Sequence, residues 1–391
     1  RDQFKTNERC IVLAGPQLTL PPELAADVVK LDEALPGQEE LESIIRGVCE
    51  ASGVTPNPED VGRAVEAVQG LPAFSAEQTI AMSMEVDEAG KKITGMNLSS
   101  AWEIKRKQIE NTPGLSINRE GHKFADLGGL EVAKEFMQLL VGGKDRPNAI
   151  VFLDEIEKVM AGAAGDTSGV SQDQHKCLLT HMEDRKVEGV ILVGHPGSGK
   201  SALAKATGNE AGVPTITLDL GAAKGGIVGE SEKKLRDALK VIDAVSNGKQ
   251  LWIATSNGIQ SLSPELQRRF TWGPFFFDLP AKVERDAIWS LYRGIHKIAA
   301  SDPIPNDEGW TGAEIEKCCK LSAKLRKPLV YASQFIVPVS QSAPQRIEAL
   351  RDQADGRWLS ASKPGAYRKV EDATPVAKAA TTGPRKINLE D

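Results

Sequence analysis

One stretch of the sequence, GHPGSGKS at residues 194–201, has residue types and spacing suited to binding phosphate. Three glycines allow successive backbone N–H groups to turn toward an anion, namely Gly194, Gly197 and Gly199. The apolar run before this stretch predicts a strand, and the residues after it predict a helix whose N-terminus adds positive charge. We therefore expect Lys200 to contact the β- and γ-phosphates of a nucleotide and the Ser201 hydroxyl to bind Mg²⁺.

A second stretch, AIVFLDEIEKVM at 149–160, places two carboxylates directly after an apolar strand. Ligands gather at the carboxyl ends of strands in a parallel sheet. Asp154 is therefore expected to hold Mg²⁺, commonly through water, and Glu155 to polarise the attacking water. An Asp-Glu pair at such a position is also a common helix N-cap. The phosphate-binding stretch needs an acidic partner, and we predict that the two stretches form one site for ATP and Mg²⁺.

Two further stretches carry side chains that can act on a phosphate. LWIATSNG at 251–258 is an apolar strand with Asn257 at its tip, where the amide would orient water against the γ-phosphate. Asn before Gly is equally a turn signal. PELQRRF at 264–270 places Arg268 and Arg269 at the end of a short helix. Arg stabilises the charge that develops in phosphoryl transfer, often from a neighbouring subunit, although exposed Arg pairs are usually solvated.

The composition is that of an ordinary globular protein with room for two or three domains. The 391 residues are 40% hydrophobic and 26% charged, with a formal net charge of −6. This charge excludes a global basic field for nucleic acid, although a local basic stripe remains open. Five cysteines without regular spacing argue against disulfides or zinc and predict a cytoplasmic location. No apolar run is long enough to cross a bilayer, so no membrane contact is expected.

The pattern of apolar runs predicts an α/β fold, with a parallel sheet and helices on both of its faces. Strands are predicted at 149–153, 189–193, 215–219, 250–254 and 275–278. Before them we expect a strand at 10–15, helices at 58–69, 75–85 and 99–112, and a linker at 112–124. After them a helical segment at 282–355 is expected, followed by a polar tail.

With these residues in place, the chain resembles the AAA ATPase superfamily over roughly residues 120–335. VFLDEIEKVMAG, LSPEL and FFFDLP are similar to an uncharacterised AAA group known from cyanobacteria, chloroplasts, other bacteria and phages. The resemblance implies that FADLGGLEVAKEFM contacts adenine, around Asp126 and Gly128. It also implies that Gly312 and Ala313, in the lid turn WTGAEIEKCC, lie near the nucleotide.

The order of the motifs differs from that of the family, in which the acidic strand follows the phosphate loop and the pore-loop helix. Here the acidic strand and its following helix, at 172–185, come first. A strand–helix unit can occupy the same slot in a sheet from a new place in the chain, since every crossover can stay right-handed. We expect one site in permuted order. The alternative is that the acidic strand belongs to a separate, inactive module.

Four segments are expected from the resemblance and from one internal repeat. IVLAGPQLTLPPEL at 11–24 resembles LWIATSNGIQSLSPEL at 251–266, which indicates a second, degenerate AAA copy, although strand–turn–helix units often look alike. The segments are a degenerate AAA-like domain at 1–115, a permuted ATPase core at 116–281, a helical lid at 282–358 and a partly disordered tail at 359–391.

The resemblance implies a Mg²⁺-dependent ATPase that forms a homo-oligomer, a hexameric ring or an open spiral, and remodels a protein or protein complex. GIVGESEKKLRDAL resembles the pore-loop helix, so Lys224 and Ile227 would face the substrate. Ile227 stands where substrate-threading relatives usually carry an aromatic residue. This leaves open an ATP-controlled factor that binds nucleic acid, and a nucleotide-binding scaffold that hydrolyses little.

Overall fold

A computed structural model of the chain describes residues 12, 28–29, 35–86, 93–143, 145–157, 170–222, 230–258 and 263–369. The chain forms two compact units, 1–35 and 36–391, and the second holds every helix and strand described. The strand predicted at 10–15, the first copy of the repeat and the tail beyond 369 lie outside the described residues, apart from Val12.

Residues 36–86 and 93–110 form a helical layer with an apolar core of its own. Its helices are α1 (Gln38–Ala51), α2 (Pro58–Val68), α3 (Ala73–Met82) and α4 (Leu98–Glu110). Apolar side chains at helical spacing, such as Leu41 and Ile45 of α1, are fully buried in this core. The helix predicted at 75–85 ends earlier, at Met82, because the next residues form the hairpin of β1 (Met84–Val86) and β2 (Ile93–Met96).

A charged side chain, Lys105, is buried between the helices of this layer. Its Nζ donates a hydrogen bond of 2.7 Å to the Glu66 carbonyl near the C-terminus of α2, and lies 4.7 Å from the centroid of the Trp102 ring. Burial lowers the pKa of Lys105 to about 7, although the Glu66 carboxylate acts in the opposite direction. The amine thus connects α4 to α2, and the free-energy cost of burying it depends on pH.

Seven strands within the described residues form one mostly parallel sheet, in the order β3-β6-β4-β7-β5-β8-β9. In chain order they are β3 (Leu115–Ile117), β4 (Ala149–Leu153), β5 (Glu188–Gly194), β6 (Thr215–Leu218), β7 (Gln250–Ser256), β8 (Pro274–Phe277) and β9 (Leu359–Ser360). Only the edge strand β3 is antiparallel to its neighbour in this sheet. The five strands predicted from the sequence are β4 to β8, and the predicted α/β class is confirmed.

Both faces of the sheet are covered by helices, which makes the central strands apolar throughout. Val151 and Leu153 of β4 pack on one face, with α6 (Val170–Asp184) and α8 (Glu230–Ser246). Ile150 and Phe152 pack on the other, with α5 (Glu131–Gly142) and α7 (Lys200–Ala211). A strand buried on both faces has no polar alternation, which is why β4 reads as a continuous apolar run.

The prediction of a linker at 112–124 is wrong for the first half of this range. Leu115 and Ile117 are buried there, and β3 pairs with β6 at the edge of the sheet. The alternation of two apolar residues around Ser116 supplies the period of a half-buried strand. At the opposite edge, β9 pairs with β8 in parallel register.

The helices after β8 divide between two cores. They are α10 (Lys282–His296), α11 (Gly312–Leu325), α12 (Leu329–Ser333), α13 (Val339–Ser342) and α14 (Pro344–Ala354). Trp289 and Trp310 anchor a separate cluster with α11 and α12, whereas Leu350 of α14 joins the core of the sheet. None of the described helices is long and apolar enough to cross a membrane.

We predict that Lys105 makes the stability of the protein depend on pH. Since its pKa of about 7 in the fold lies below the ordinary value, the unfolded chain binds more protons between about pH 7 and 10.5. Stability should therefore rise across this window, by at most about 1.4 kcal/mol per pH unit, and fall as pH returns toward 7. Urea unfolding of Lys105→Met should lack this contribution, while Lys107→Met, on an exposed position of α4, should retain it. Equal pH slopes in the parent and Lys105→Met would contradict the assignment.

Candidate nucleotide-binding site

A cavity of about 450 Å³ opens at the carboxyl ends of the central strands. It lies between the phosphate-binding stretch, the acidic strand and the first helices after β8. The predicted residues that line it are Asp126, Gly128, Asp154, Glu155, Gly197, Gly199, Lys200, Ser201, Asn257, Gly312 and Ala313. The structure therefore gathers residues from sequence stretches almost 190 positions apart, counted from 126 to 313, around one space.

The phosphate-binding stretch forms a tight loop between β5 and α7. Gly197 and Gly199 have φ angles of 80° and 92°, a conformation that side chains disfavour. Gly194 ends β5 so close to β8 that a Cβ would lie 2.4 Å from the carbonyl oxygen of Phe277. Two kinds of constraint, backbone conformation and close packing, thus account for the three glycines.

Lys200 begins α7 with its ammonium group folded back on the loop. Its Nζ donates hydrogen bonds to the carbonyls of Gly194 and His195, at 2.8 and 2.7 Å, and to Asn257 Oδ1 at 3.2 Å. Burial lowers the pKa of Lys200 to about 8, against the carboxylates of Glu157, Asp154 and Glu155, which raise it. An arriving phosphate would offer this cation a stronger, charged acceptor than two carbonyls.

The two halves of the predicted site meet at Asp154. Its Oδ1 accepts a hydrogen bond of 2.9 Å from Ser201 Oγ and one of 2.6 Å from Thr255 Oγ1. The carboxylate and the Ser201 hydroxyl are therefore close enough to serve one cation. Their oxygen chemistry suits Mg²⁺, which usually takes one or two protein ligands and completes its shell with phosphates and water. Among the described residues no cluster of three His, Cys, Asp or Glu offers a fuller metal cage.

Glu155 adopts a backbone conformation that is unusual for a residue with a side chain. Its φ of 48° lies in the left-handed region, where a non-glycine residue costs of the order of 1–3 kcal/mol. The Glu155 N–H donates a 2.9 Å hydrogen bond to Thr255 Oγ1, which helps to hold this turn. The turn leaves the Glu155 carboxylate on the cavity wall, 3.3 Å from Asn257 Nδ2.

Asn257 connects the cation and the carboxylates of the site. Its Oδ1 accepts from Lys200, and its Nδ2 donates to Glu155 and, at 2.8 Å, to Glu157 Oε1. Its backbone N–H donates to the same Glu157 oxygen, at 3.0 Å. Thr255 and Glu157 were not among the residues predicted from the sequence. Period two along β7 places Thr255 on the same face as Asn257, a signal that was available for Thr255.

The opposite side of the cavity is formed by the 124–130 segment and by the lid. Asp126 accepts a hydrogen bond from Lys123 N, at 2.8 Å, so its carboxylate fixes its own turn. Gly128 leaves no room for a Cβ, which would lie 2.6 Å from Ile288 Cγ1 of α10. Ala313 N donates a 3.3 Å hydrogen bond to the Gly197 carbonyl, so α11 directly contacts the loop between β5 and α7.

Residues near the C-terminus also contribute to the cavity, which the sequence did not suggest. Ser362 lines the cavity and donates a hydrogen bond of 2.6 Å to Glu284 Oε1 of α10. The same Glu284 oxygen accepts from Leu130 N at 3.2 Å. Asp278, also on the wall, is held by Arg351 and by the Tyr367 hydroxyl. The segment after α14 thereby braces the lid against the sheet.

Arg268 and Arg269 lie outside this cavity, at the end of α9 (Pro264–Arg269). Arg269 forms an ion pair of 2.9 Å with Glu183 of α6, whereas Arg268 is exposed. Within the chain, Arg269 is therefore held by an ion pair, whereas Arg268 is exposed to solvent. The predicted pore residues Lys224 and Ile227 lie outside the described residues.

The fold and the cavity define a P-loop nucleotide-binding domain. Residues 190–246 match the model of the ATPase family associated with various cellular activities, or AAA. The resemblance to AAA ATPases predicted from the sequence is therefore confirmed for these residues.

Relatives with the same domain are similar to almost the whole chain. Two are proteins called uncharacterized AAA domain-containing protein ycf46. The one from Guillardia theta is 24% identical, over 93% of this chain and 74% of its own length. The one from Pyropia yezoensis is 24% identical, over 92% and 77%. Among solved structures, the FIGL-1 AAA domain is 17% identical with a TM-score of 0.40, over 64% of this chain and 94% of that one.

We predict that Gly197→Ala weakens binding of a fluorescent ATP analogue by about fivefold or more. A Cβ at Gly197 would lie 2.9 Å from Ala313 Cβ and 3.0 Å from Thr311 Oγ1, at a φ of 80°, so the loop and the lid must separate. Such overpacking typically costs about 1–3 kcal/mol, and 1.4 kcal/mol is a factor of ten in affinity. Gly212→Ala is the matched control, because Gly212 also has a positive φ but has open space around it. Equal affinities of the two variants would contradict the prediction.

Proposed function

We propose that this chain is a Mg²⁺-dependent ATPase that works as a homo-oligomer, a ring or open spiral, and remodels a protein or protein complex. The observation that supports it most is the hydrogen bond from Ser201 Oγ to Asp154 Oδ1, at 2.9 Å. It places an acidic strand and a phosphate-binding loop around one point. Glu155 and Asn257 face the same cavity, so a base and a polar group accompany the cation site.

In this proposal the chain holds the nucleotide by exchanging contacts that it already makes. The Lys200 ammonium would leave the carbonyls of Gly194 and His195 for the β- and γ-phosphates. Ser201 and Asp154 would hold Mg²⁺, which neutralises charge on the phosphates when bound. Gly312 and Ala313 lie beside the loop. A shift of the loop when phosphates bind would therefore pass through these two residues to the lid.

Glu155 would take a proton from the attacking water, and Asn257 would orient that water. The Glu155 carboxylate is half-buried and already hydrogen-bonded to Asn257. A general base must lie within hydrogen-bond reach of the proton that it removes, directly or through one water. The amide beside it can hold the water on the side of the γ-phosphate, while Asp126 and Gly128 form the adenine side of the cavity.

The strand order supports the proposal that the site is a permuted form of the family's arrangement. β4 pairs in parallel with β6 on one side and with β7 on the other. The acidic strand thus lies between the strand after the phosphate-loop helix and the strand that carries Asn257. A separate, inactive module would not share a continuous sheet with the phosphate-binding strand, which pairs with β7 in turn.

We extend the proposal to the domain organisation, with an AAA-like remnant at 1–115, a core at 116–281, a lid at 282–358 and a tail from 359. Residues 70–83 and 309–322, which resemble each other in sequence, both contain helix starts, those of α3 and α11. This similarity supports a degenerate second copy.

The described cysteines are unpaired, which suits the reducing cytoplasm.

Arg268 is our choice for the arginine that completes the site of a neighbouring subunit. Arg269 is already paired with Glu183, and this contact fixes α9 against α6. Arg268, one position earlier, is exposed. It forms no ion pair with any of the described residues. A cation that must reach a phosphate in another subunit needs this freedom.

We predict that Glu155→Gln binds ATP but hydrolyses it at least about 10²-fold more slowly, because it cannot accept a proton. Held in the ATP state, this variant should form more stable oligomers, measured by size-exclusion chromatography with and without ATP. Lys200→Ala should instead lose nucleotide binding and gain no oligomer with ATP. Hydrolysis by the Gln variant at the parental rate would show that Glu155 is not the base.

We further predict that two inactive variants restore activity when mixed. Arg268→Ala should lower kcat by about 10³-fold, the usual scale for such an arginine, and Glu155→Gln should be inactive for want of a base but still enter oligomers with ATP. In mixed oligomers, an Arg268→Ala subunit can receive the arginine of a Glu155→Gln neighbour, so part of the parental ATPase rate should return. A mixture that forms oligomers yet stays inactive would exclude action between subunits.

A further inference from the structure

We propose that Glu157 is a positioning residue that fixes the orientation of the Asn257 amide during ATP hydrolysis. The inference rests on the proposed ATPase function and adds a residue to its machinery. Glu157 lies three positions after Asp154, in the helical turn that follows the left-handed Glu155. This turn brings a third carboxylate of the acidic stretch back to the tip of β7.

The contact between the two residues is made by two hydrogen bonds to one oxygen. Glu157 Oε1 accepts from the Asn257 backbone N–H at 3.0 Å and from its Nδ2 at 2.8 Å. The oxygen and nitrogen ends of a side-chain amide have nearly the same shape, so its partners decide which way it faces. An ionised carboxylate only accepts hydrogen bonds. Glu157 therefore holds Nδ2 toward itself and leaves Oδ1 facing Lys200.

Two of the three side-chain partners of Asn257 must change during the proposed reaction. Lys200 would leave Oδ1 for the phosphates, and Glu155 would turn to water and become protonated. An amide held by these two alone would lose its fixed orientation at the step where it is needed. Glu157 has no part in binding phosphate or moving protons, so its two hydrogen bonds can persist throughout.

The second oxygen of Glu157 makes the burial of this carboxylate costly. Glu157 Oε2 is buried and has no hydrogen-bond partner among the described residues. A buried polar atom left without a partner costs about 1–3 kcal/mol. A carboxylate that carries this cost, with its other oxygen hydrogen-bonded to Asn257 at the end of β7, fits a role in the reaction.

The test is a comparison of kcat and KM for ATP in Glu157→Gln, which keeps the size of the side chain. Its uncharged amide oxygen is a weaker acceptor than a carboxylate oxygen, so the orientation of the Asn257 amide is held less firmly. We expect kcat to fall by about tenfold or more, because small misplacements at a reacting centre have effects of this size. KM for ATP should change less than kcat, since the hydrogen bonds of Lys200 and Ser201 do not involve Glu157, although loss of the Glu157 charge lowers the pKa of Lys200. Glu157→Asp, which retains the charge, should recover part of kcat. Glu135→Gln, at an exposed position of α5, should match the parent.

A double variant separates positioning from a general structural role. If Glu157 acts through Asn257, adding Glu157→Gln to Asn257→Ala should lower kcat no further than Asn257→Ala alone. Effects that multiply, a parental kcat in Glu157→Gln, or a raised KM with unchanged kcat would each overturn the inference. Should the Gln variant fail to fold, the same cycle with Glu157→Asp decides.

Glu155→Gln is measured in parallel. If it hydrolyses ATP at the parental rate, the proposed ATPase mechanism fails, whereas loss of activity there with normal Glu157 variants contradicts only this inference.

Discussion

The site depends on one carboxylate oxygen that accepts hydrogen bonds from two hydroxyls on different parts of the sheet. Asp154 Oδ1 receives Ser201, which follows β5, and Thr255, which belongs to β7. Because β7 lies between β4 and β5 in the sheet, Thr255 fills the gap between the acidic strand and the phosphate-binding loop. The geometry requires that the three strand ends be neighbours in space, and it places no condition on their order along the chain.

Local strain at the site is held in place by the same contacts. Glu155 has a left-handed backbone, and its N–H is fixed by the Thr255 hydroxyl that also binds Asp154. Thr255 is fully buried, so water does not compete for these bonds. One threonine thus stabilises a costly turn and orients a carboxylate. A serine could make both bonds, but without the methyl group it would be less constrained at χ1.

Much of this arrangement could be predicted from the sequence, because strong local signals mark it. The central strands are apolar runs, and the glycine spacing of the phosphate-binding loop has few other uses. The edge strand Leu115–Ile117 was missed because three residues carry too short a pattern. The role of Thr255 depends on the register that pairs Leu153 with Ala254. The pairing of Arg269 with Glu183 depends on how two helices pack. Register and packing are set by the whole fold, which no single stretch of sequence contains.

The place of β4 in the sheet also affects how the chain is made. Its partners, Thr215–Leu218 and Gln250–Ser256, leave the ribosome after Ala149–Leu153. At ordinary elongation rates the last of them follows about 5–20 s later. Until then a fully apolar strand keeps at least one unpaired edge, the condition that favours pairing with other chains. The place of β4 in the sheet therefore lengthens the time during which the nascent chain presents an unpaired apolar strand.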